Sequence, residues 1–170
     1  MTIRNRGVAL GFSLIELMVV IGLVAFLLTL GVPLAREWVQ SAHQRDSAGK
    51  LAEALGRAKA LALRNPQALT DQSLPAAAVC LIGQQLSVVG ADTNKQIACT
   101  NQADWTQQIS SDASVVLTNT NIPFQCAAYN ERGVLLVTSL SGLSCMQASP
   151  NHAYVDVNVG SEEAFNVFQP

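Results

Sequence analysis

Hydrophobic and polar positions divide this chain into two regimes. From residue 12 to residue 35 the sequence is apolar, and Glu16 is its only ionisable side chain. A helix that is apolar all round belongs in a core or in a membrane. The run has 24 residues. At a rise of ~1.5 Å each it extends ~36 Å, enough to cross a ~30 Å hydrocarbon core. Trp38 follows just past the run. It suits either the headgroup interface of a bilayer or packing along a helical stem. Pro33 lacks a backbone donor and is expected to kink or loosen the helix locally.

Beyond the run the period becomes that of an amphipathic helix. Ala48, Leu51, Leu55, Ala58 and Ala62 recur at 3-4-3-4 spacing, while Lys50, Glu53, Arg57, Lys59 and Arg64 lie off that stripe. Many stripe residues are small, which allows close approach to a sheet. Pro66 disfavours helix at Asn65 and sets the end there. The reading is one helix over 12–65, ~80 Å long, its first half an anchor and its second half the spine of a head.

After Pro66 short β-type runs take over: 77–82, 85–89, 114–118, 122–127, 134–139, 154–159 and 165–168, separated by Gly, Asn, Asp and Pro. The run Tyr154-Val155-Asp156-Val157-Asn158-Val159 alternates strictly, as a half-buried strand does. Residues 90–108 are polar and weakly patterned and are expected to form a loop pinned at Cys99. The fold class is α+β, a long N-terminal helix packed against an antiparallel sheet. The division is 1–11 leader, 12–35 membrane helix, 36–65 exported half of the helix and 66–170 β-rich head.

Charge adds a direction to this plan. The leader carries Arg4 and Arg6 and no acid, which keeps that end cytoplasmic and sends everything after about residue 35 outward. Net charge is −2 overall, but residues 36–65 hold six basic and three acidic groups, and residues 66–170 two basic and eight acidic. A nucleic-acid-binding head would show a basic face; this balance excludes one, and direct nucleic-acid binding is not expected. A carboxylate at the centre of a membrane helix costs ~2.5–3.5 kcal/mol, less near the interface. Glu16 is therefore a functional candidate.

Four cysteines, Cys80, Cys99, Cys126 and Cys145, all follow the membrane run. That places them where disulfides persist. Three connectivities are open. Sequential pairing, Cys80–Cys99 and Cys126–Cys145, fits a meandering sheet best, each bridge closing about 20 residues for ~3 kcal/mol in the chain-entropy model. No Cys-x-x-Cys pair occurs, and His43 and His152 lack metal spacing to the cysteines. There is no nucleophile elbow, no His-Glu-x-x-His and no phosphate loop. Neither an enzyme nor a cofactor or metal protein is expected. Asp156, Glu162 and Glu163 with Asn158 form the one acidic group that a cation could use, against a solvated surface as the plainer reading.

Gly11-Phe12-Ser13-Leu14-Ile15-Glu16 resembles the N-terminal signature of type IV pilins and type II secretion pseudopilins. The resemblance implies that a prepilin peptidase cuts after Gly11 and that Phe12 becomes the N-methylated mature terminus. It makes Glu16 the fifth mature residue and matches Pro33 to the family's helix proline. It implies that Glu16 pairs with the terminal amine of a neighbouring subunit and so sets register during assembly. Phe12 and Glu16, four apart, share a helix face.

A second stretch, Leu51-Ala52-Glu53-Ala54-Leu55-Gly56-Arg57-Ala58-Lys59-Ala60-Leu61-Ala62-Leu63-Arg64-Asn65, is similar to the helix end of the GspH/FimT-like branch of minor pilins and pseudopilins. Val79-Cys80-Leu81, Cys99, Asp104-Trp105 and the turn Tyr129-Asn130-Glu131-Arg132-Gly133 extend that similarity.

What these resemblances imply is a minor pilin that helps initiate or cap a type IV pilus. The alternative is a minor pseudopilin at the tip of a type II secretion pseudopilus, and a third reading is a DNA-uptake pilin. The family associates DNA capture with a basic C-terminal region; here that stretch reads Gly160-Ser161-Glu162-Glu163-Ala164-Phe165. The implied partners are other pilins or pseudopilins, the prepilin peptidase and an inner-membrane assembly platform. The implied location is the inner membrane, single-pass with a periplasmic head, and then the filament near its tip.

Overall fold

The computed structural model describes residues 12–118, 122–146, 154–160 and 163–168, apart from the side chains of 30–34, 154 and 168. The protein is α+β. Helix α1 spans Leu14–Arg64. Strands β1 (Ala77–Ile82), β2 (Gln85–Gly90), β3 (Ala103–Gln108), β4 (Ala113–Leu117) and β5 (Cys126–Tyr129) follow, then β6 (Leu135–Leu136), β7 (Ser139–Leu140), β8 (Leu143–Ser144), β9 (Tyr154–Val159) and β10 (Phe165–Phe168). The chain divides into two compact units, Met1–Trp38 and Val39–Pro170.

In the second unit the strands form a five-stranded sheet ordered β3-β2-β1-β5-β6, a three-stranded sheet ordered β10-β9-β4, and the hairpin β7-β8. Every paired strand in them is antiparallel. The expected helical stripe is buried: Ala48, Leu51, Leu55, Ala58 and Ala62 are at most 2% exposed, and Ala54 joins them. The stripe packs against one face of each sheet. Ala77, Val79, Leu86, Val88, Ala127 and Tyr129 come from the larger sheet, and Val115, Val155, Val157, Val159 and Val167 from the smaller. Small side chains on the helix let the two backbones approach closely, and the alternate residues of each strand supply the other half of the core.

The larger sheet is buried on its second face too. Ala78, Cys80, Val89, Cys126 and Ala128 form a smaller outer core with Cys99, Leu140 and Cys145. Its cover consists of the segment around Cys99 and the β7–β8 hairpin. Two bridges, Cys80–Cys99 and Cys126–Cys145, tie that cover down, and no cysteine is free. The sequential pairing is the one observed.

Helix α1 ends as its sequence requires. Asn65 adopts a left-handed conformation, φ 43°, and its amide donates to Leu61 O and Ala62 O. Its side chain then donates to Leu69 O and accepts from Leu69 N, both at 2.7 Å. Asn is one of the few non-glycine residues that take this geometry at low cost.

Three β expectations are corrected. Residues 90–108 are not all loop, because 103–108 form β3, an edge strand on β2 with a register shift between Val88 and Val89 that leaves Asp104 as the extra residue. Its outward residues are exposed and polar, so it lacks the apolar alternation of a half-buried strand. The expected strand at 122–127 is split: Ile122 and Phe124 hydrogen-bond along β4, and β5 begins only at Cys126. The run 134–139 is likewise divided between β6 and β7. The β7–β8 connection is Ser141-Gly142, both with positive φ, a two-residue turn that glycine makes inexpensive.

Candidate functional site

The first unit holds the residues to which the sequence gives a function. Gly11 lies outside the described residues. From Phe12 to Thr29 every side chain is exposed, from 49% at Val24 to 86% at Phe12 among the large apolar ones. Soluble monomers rarely expose so large a contiguous apolar surface. Ser13 immediately precedes the helix, and Leu17 N donates to Ser13 O at 3.2 Å. Glu16 is the third helical residue, in the first turn, where a carboxylate gains from the positive end of the helix dipole. Ser13 and Glu16 thus also stand at the two ends of a Ser-x-x-Glu capping pattern, an ordinary signature of a helix start that the sequence reading missed.

Two polar side chains occur in the described part of this helical run, and they differ. Thr29 Oγ1 donates to Phe26 O at 2.7 Å, so it is satisfied by its own helix and fits an apolar setting. Glu16 forms no ion pair among the described residues. Pro33 lies within α1, its side chain outside the described set. Among the described residues no helix is long and apolar enough to cross a membrane.

Trp38 is 75% exposed, so the stem-packing role does not hold for it within this chain. Trp105 differs: it is half-buried against the main core, with Arg57 Cζ 5.3 Å from its ring centroid.

In the second unit the described members of the acidic group, Asp156 and Glu163, take part in contacts within the head. Asp156 accepts from Thr118 Oγ1 at 2.7 Å and lies opposite Asn166 in the β9–β10 pairing. Glu163 uses its carbonyl, not its carboxylate, in the contact described below, and Glu162 lies outside the described residues, as does His152. Among the described residues no three His, Cys, Asp or Glu side chains gather to hold a metal ion. His43 Nδ1 lies 3.1 Å from Asp112 Oδ2 on the surface. The Ser110 hydroxyl donates to the other Asp112 oxygen, and these two contacts, Ser110 first and His43 second, hold the Asp112 carboxyl below the ordinary carboxylate range. Burial raises the Tyr129 phenol, whose hydroxyl finds no hydrogen-bond partner among the described residues.

The sequence reading also overlooked a polar extension of the buried stripe. Gln44 is 5% exposed, and its Nε2 donates to Val157 O at 2.8 Å and Glu163 O at 2.7 Å. Ser47 is fully buried, and its Oγ accepts from Ser110 N. A Cβ on Gly160, which has φ +57°, would meet Gln40 Oε1 at 2.8 Å. Gln40, Gln44 and Ser47 continue the 4-3 spacing of the stripe toward the N-terminus, so the signal was periodicity carried by polar residues. They add polar contacts at Val157, Gly160, Glu163 and Ser110 to the apolar stripe that packs against both sheets.

No family model matches the sequence, and neither the curated proteins nor the solved structures provide a match to it.

Proposed function

We propose that this chain is a minor type IV pilin, of the GspH/FimT-like branch, that helps initiate or cap a pilus after prepilin peptidase cleaves between Gly11 and Phe12. One observation carries the reading: residues 12–29 form an apolar surface exposed on every side, interrupted by the single acid Glu16, on the same chain as a compact, disulfide-tied head. Such a helix requires a cover. Lipid supplies it before assembly, and the equivalent helices of neighbouring subunits supply it afterwards. Glu16 is then the one group in the run that gains from a positive partner, and the cleaved terminus of a neighbour, the Phe12 amine, provides one. The acidic balance of the head supports a role without direct nucleic-acid contact. The chemistry of the reading is assembly, with no reaction catalysed.

The test is a clean deletion in the source bacterium, scored for surface pili and exported enzymes together. Loss of pili with normal secretion supports the proposal. Loss of secretion with intact pili assigns the chain to a secretion pseudopilus instead. Complementation with Glu16→Ala is expected to restore a cleaved, mature-size product that enters filaments at least about tenfold less efficiently, the weight of roughly 1.4 kcal/mol of lost pairing. Normal incorporation of that variant would remove Glu16 from the mechanism.

A further inference from the structure

We infer that Trp38 is a lipid-headgroup anchor that sets the depth of the precursor helix before assembly; this rests on the membrane-held precursor of the proposed function. Trp38 is 75% exposed, although an indole is among the side chains with most to gain from burial. The three residues before it, Ala35, Arg36 and Glu37, are exposed as well. Arg36 and Glu37 are the first charges after the apolar run, and Trp38 is the first aromatic after Phe26. A ring that is apolar in body, polar at its N–H and flanked by charge matches the chemistry of the bilayer interface, where aqueous and acyl phases meet within one side chain's length.

The length agrees. Trp38 lies 26 residues beyond Phe12, ~39 Å along a helix at 1.5 Å per residue, against ~40–45 Å for a bilayer with its headgroups. With Phe12 at the cytoplasmic interface, Trp38 reaches the opposite one. Arg4 and Arg6 hold the cytoplasmic side and Trp38 the other, so the helix is fixed at both ends and Glu16 stays near the first. Depth matters because an acid near the interface costs less than one at the centre, and a fixed depth keeps it there.

The experiment uses the full-length, unprocessed chain with Trp105→Phe, which leaves Trp38 as the only tryptophan. It is reconstituted in phosphatidylethanolamine–phosphatidylglycerol vesicles carrying bromine near the headgroup end of the acyl chain, or in parallel near the chain terminus. Trp38 emission is expected to fall about twofold or more with the shallow bromines and clearly less with the deep ones. Should Trp105→Phe disturb the head, the difference between the wild-type chain and Trp38→Phe reads the same quantity. Stronger quenching by the deep bromines overturns the assignment. So does emission quenched only by aqueous acrylamide while the chain sediments with the vesicles; that result leaves the anchored precursor standing and places Trp38 in water, outside the headgroup layer. A chain that does not sediment with vesicles removes the anchored precursor itself, and the anchor role with it.

Discussion

Gln44 and Asp112 show how single polar groups act in this head. The Gln44 amide serves two carbonyls on β9 and at Glu163 from a buried position. Gln44→Leu leaves both carbonyls without their donor, and a lost buried partner costs ~1–3 kcal/mol. The expected result is a lower urea midpoint for the detergent-solubilised full-length chain, followed by circular dichroism. Gln44→Glu should be worse, since it sets a carboxylate against two acceptors; a Glu variant as stable as wild type would refute the bonding.

Asp112 is a surface group, and its contribution is correspondingly small. Its carboxyl is depressed in the folded state, so the contribution is present above the unfolded value of ~3.9 and is lost as pH falls through the lower folded one. Because the Ser110 hydroxyl is the larger cause and His43 the lesser, Ser110→Ala should raise the carboxyl midpoint, read by NMR, more than His43→Ala does. The reverse order would make His43 the dominant partner.

At the scale of elements, legibility followed burial. The stripe at 48–62, the strictly alternating β9 and the compact runs β1 and β10 could be read because one face of each, or both, enters a core. β3 was hidden because an edge strand pairs on one side only and its exposed residues are selected for water, with Trp105 alone marking its inner face. The 122–127 run was misread because Pro123 and its neighbours follow β4 before the chain crosses to β5, and hydrophobicity does not record which sheet a residue joins.

The helix end was legible from Pro66, but what Asn65 does there was not. It carries a left-handed φ and two side-chain bonds to Leu69. Asn65→Gly keeps the conformation and loses the bonds, for about 1–2 kcal/mol. Asn65→Ala loses both and should be destabilised by about 1 kcal/mol more. Equal unfolding midpoints for the two variants would mean that the conformation carries no cost at this site.

Across the whole molecule, the functional candidates were legible because they form a local motif: Glu16 is conspicuous in an apolar run whatever the fold around it. The polar fastening at Gln40, Gln44 and Ser47 was not, since its partners are more than 60 residues away in sequence. The cysteines lie between these cases. Their pairing was legible, but their arrangement depends on the β1–β5 register, which sets Cys80 directly opposite Cys126 on the outer face of the larger sheet. Leu81 N donates to Gln125 O, so the adjacent Cys80–Cys126 pair is a non-hydrogen-bonded one, the type in which facing side chains approach most closely. The two native bridges therefore leave side by side from one sheet, each reaching outward to the cover. A third pairing, across the strands, is open whenever the cover is not engaged. In the double variant Cys99→Ser, Cys145→Ser the register alone should then form a Cys80–Cys126 crosslink, found as a linked peptide pair in an unreduced digest with no titratable thiol. That variant should keep the strands and lose the fastening of the outer cover. The two cover segments that the substitutions release should become the first sites of proteolysis, because the bridges from Cys80 and Cys126 no longer hold them to the sheet. Two free thiols in the folded variant would instead mean that β1 and β5 hold these side chains apart, and that the outward bridges are the only ones this sheet can make.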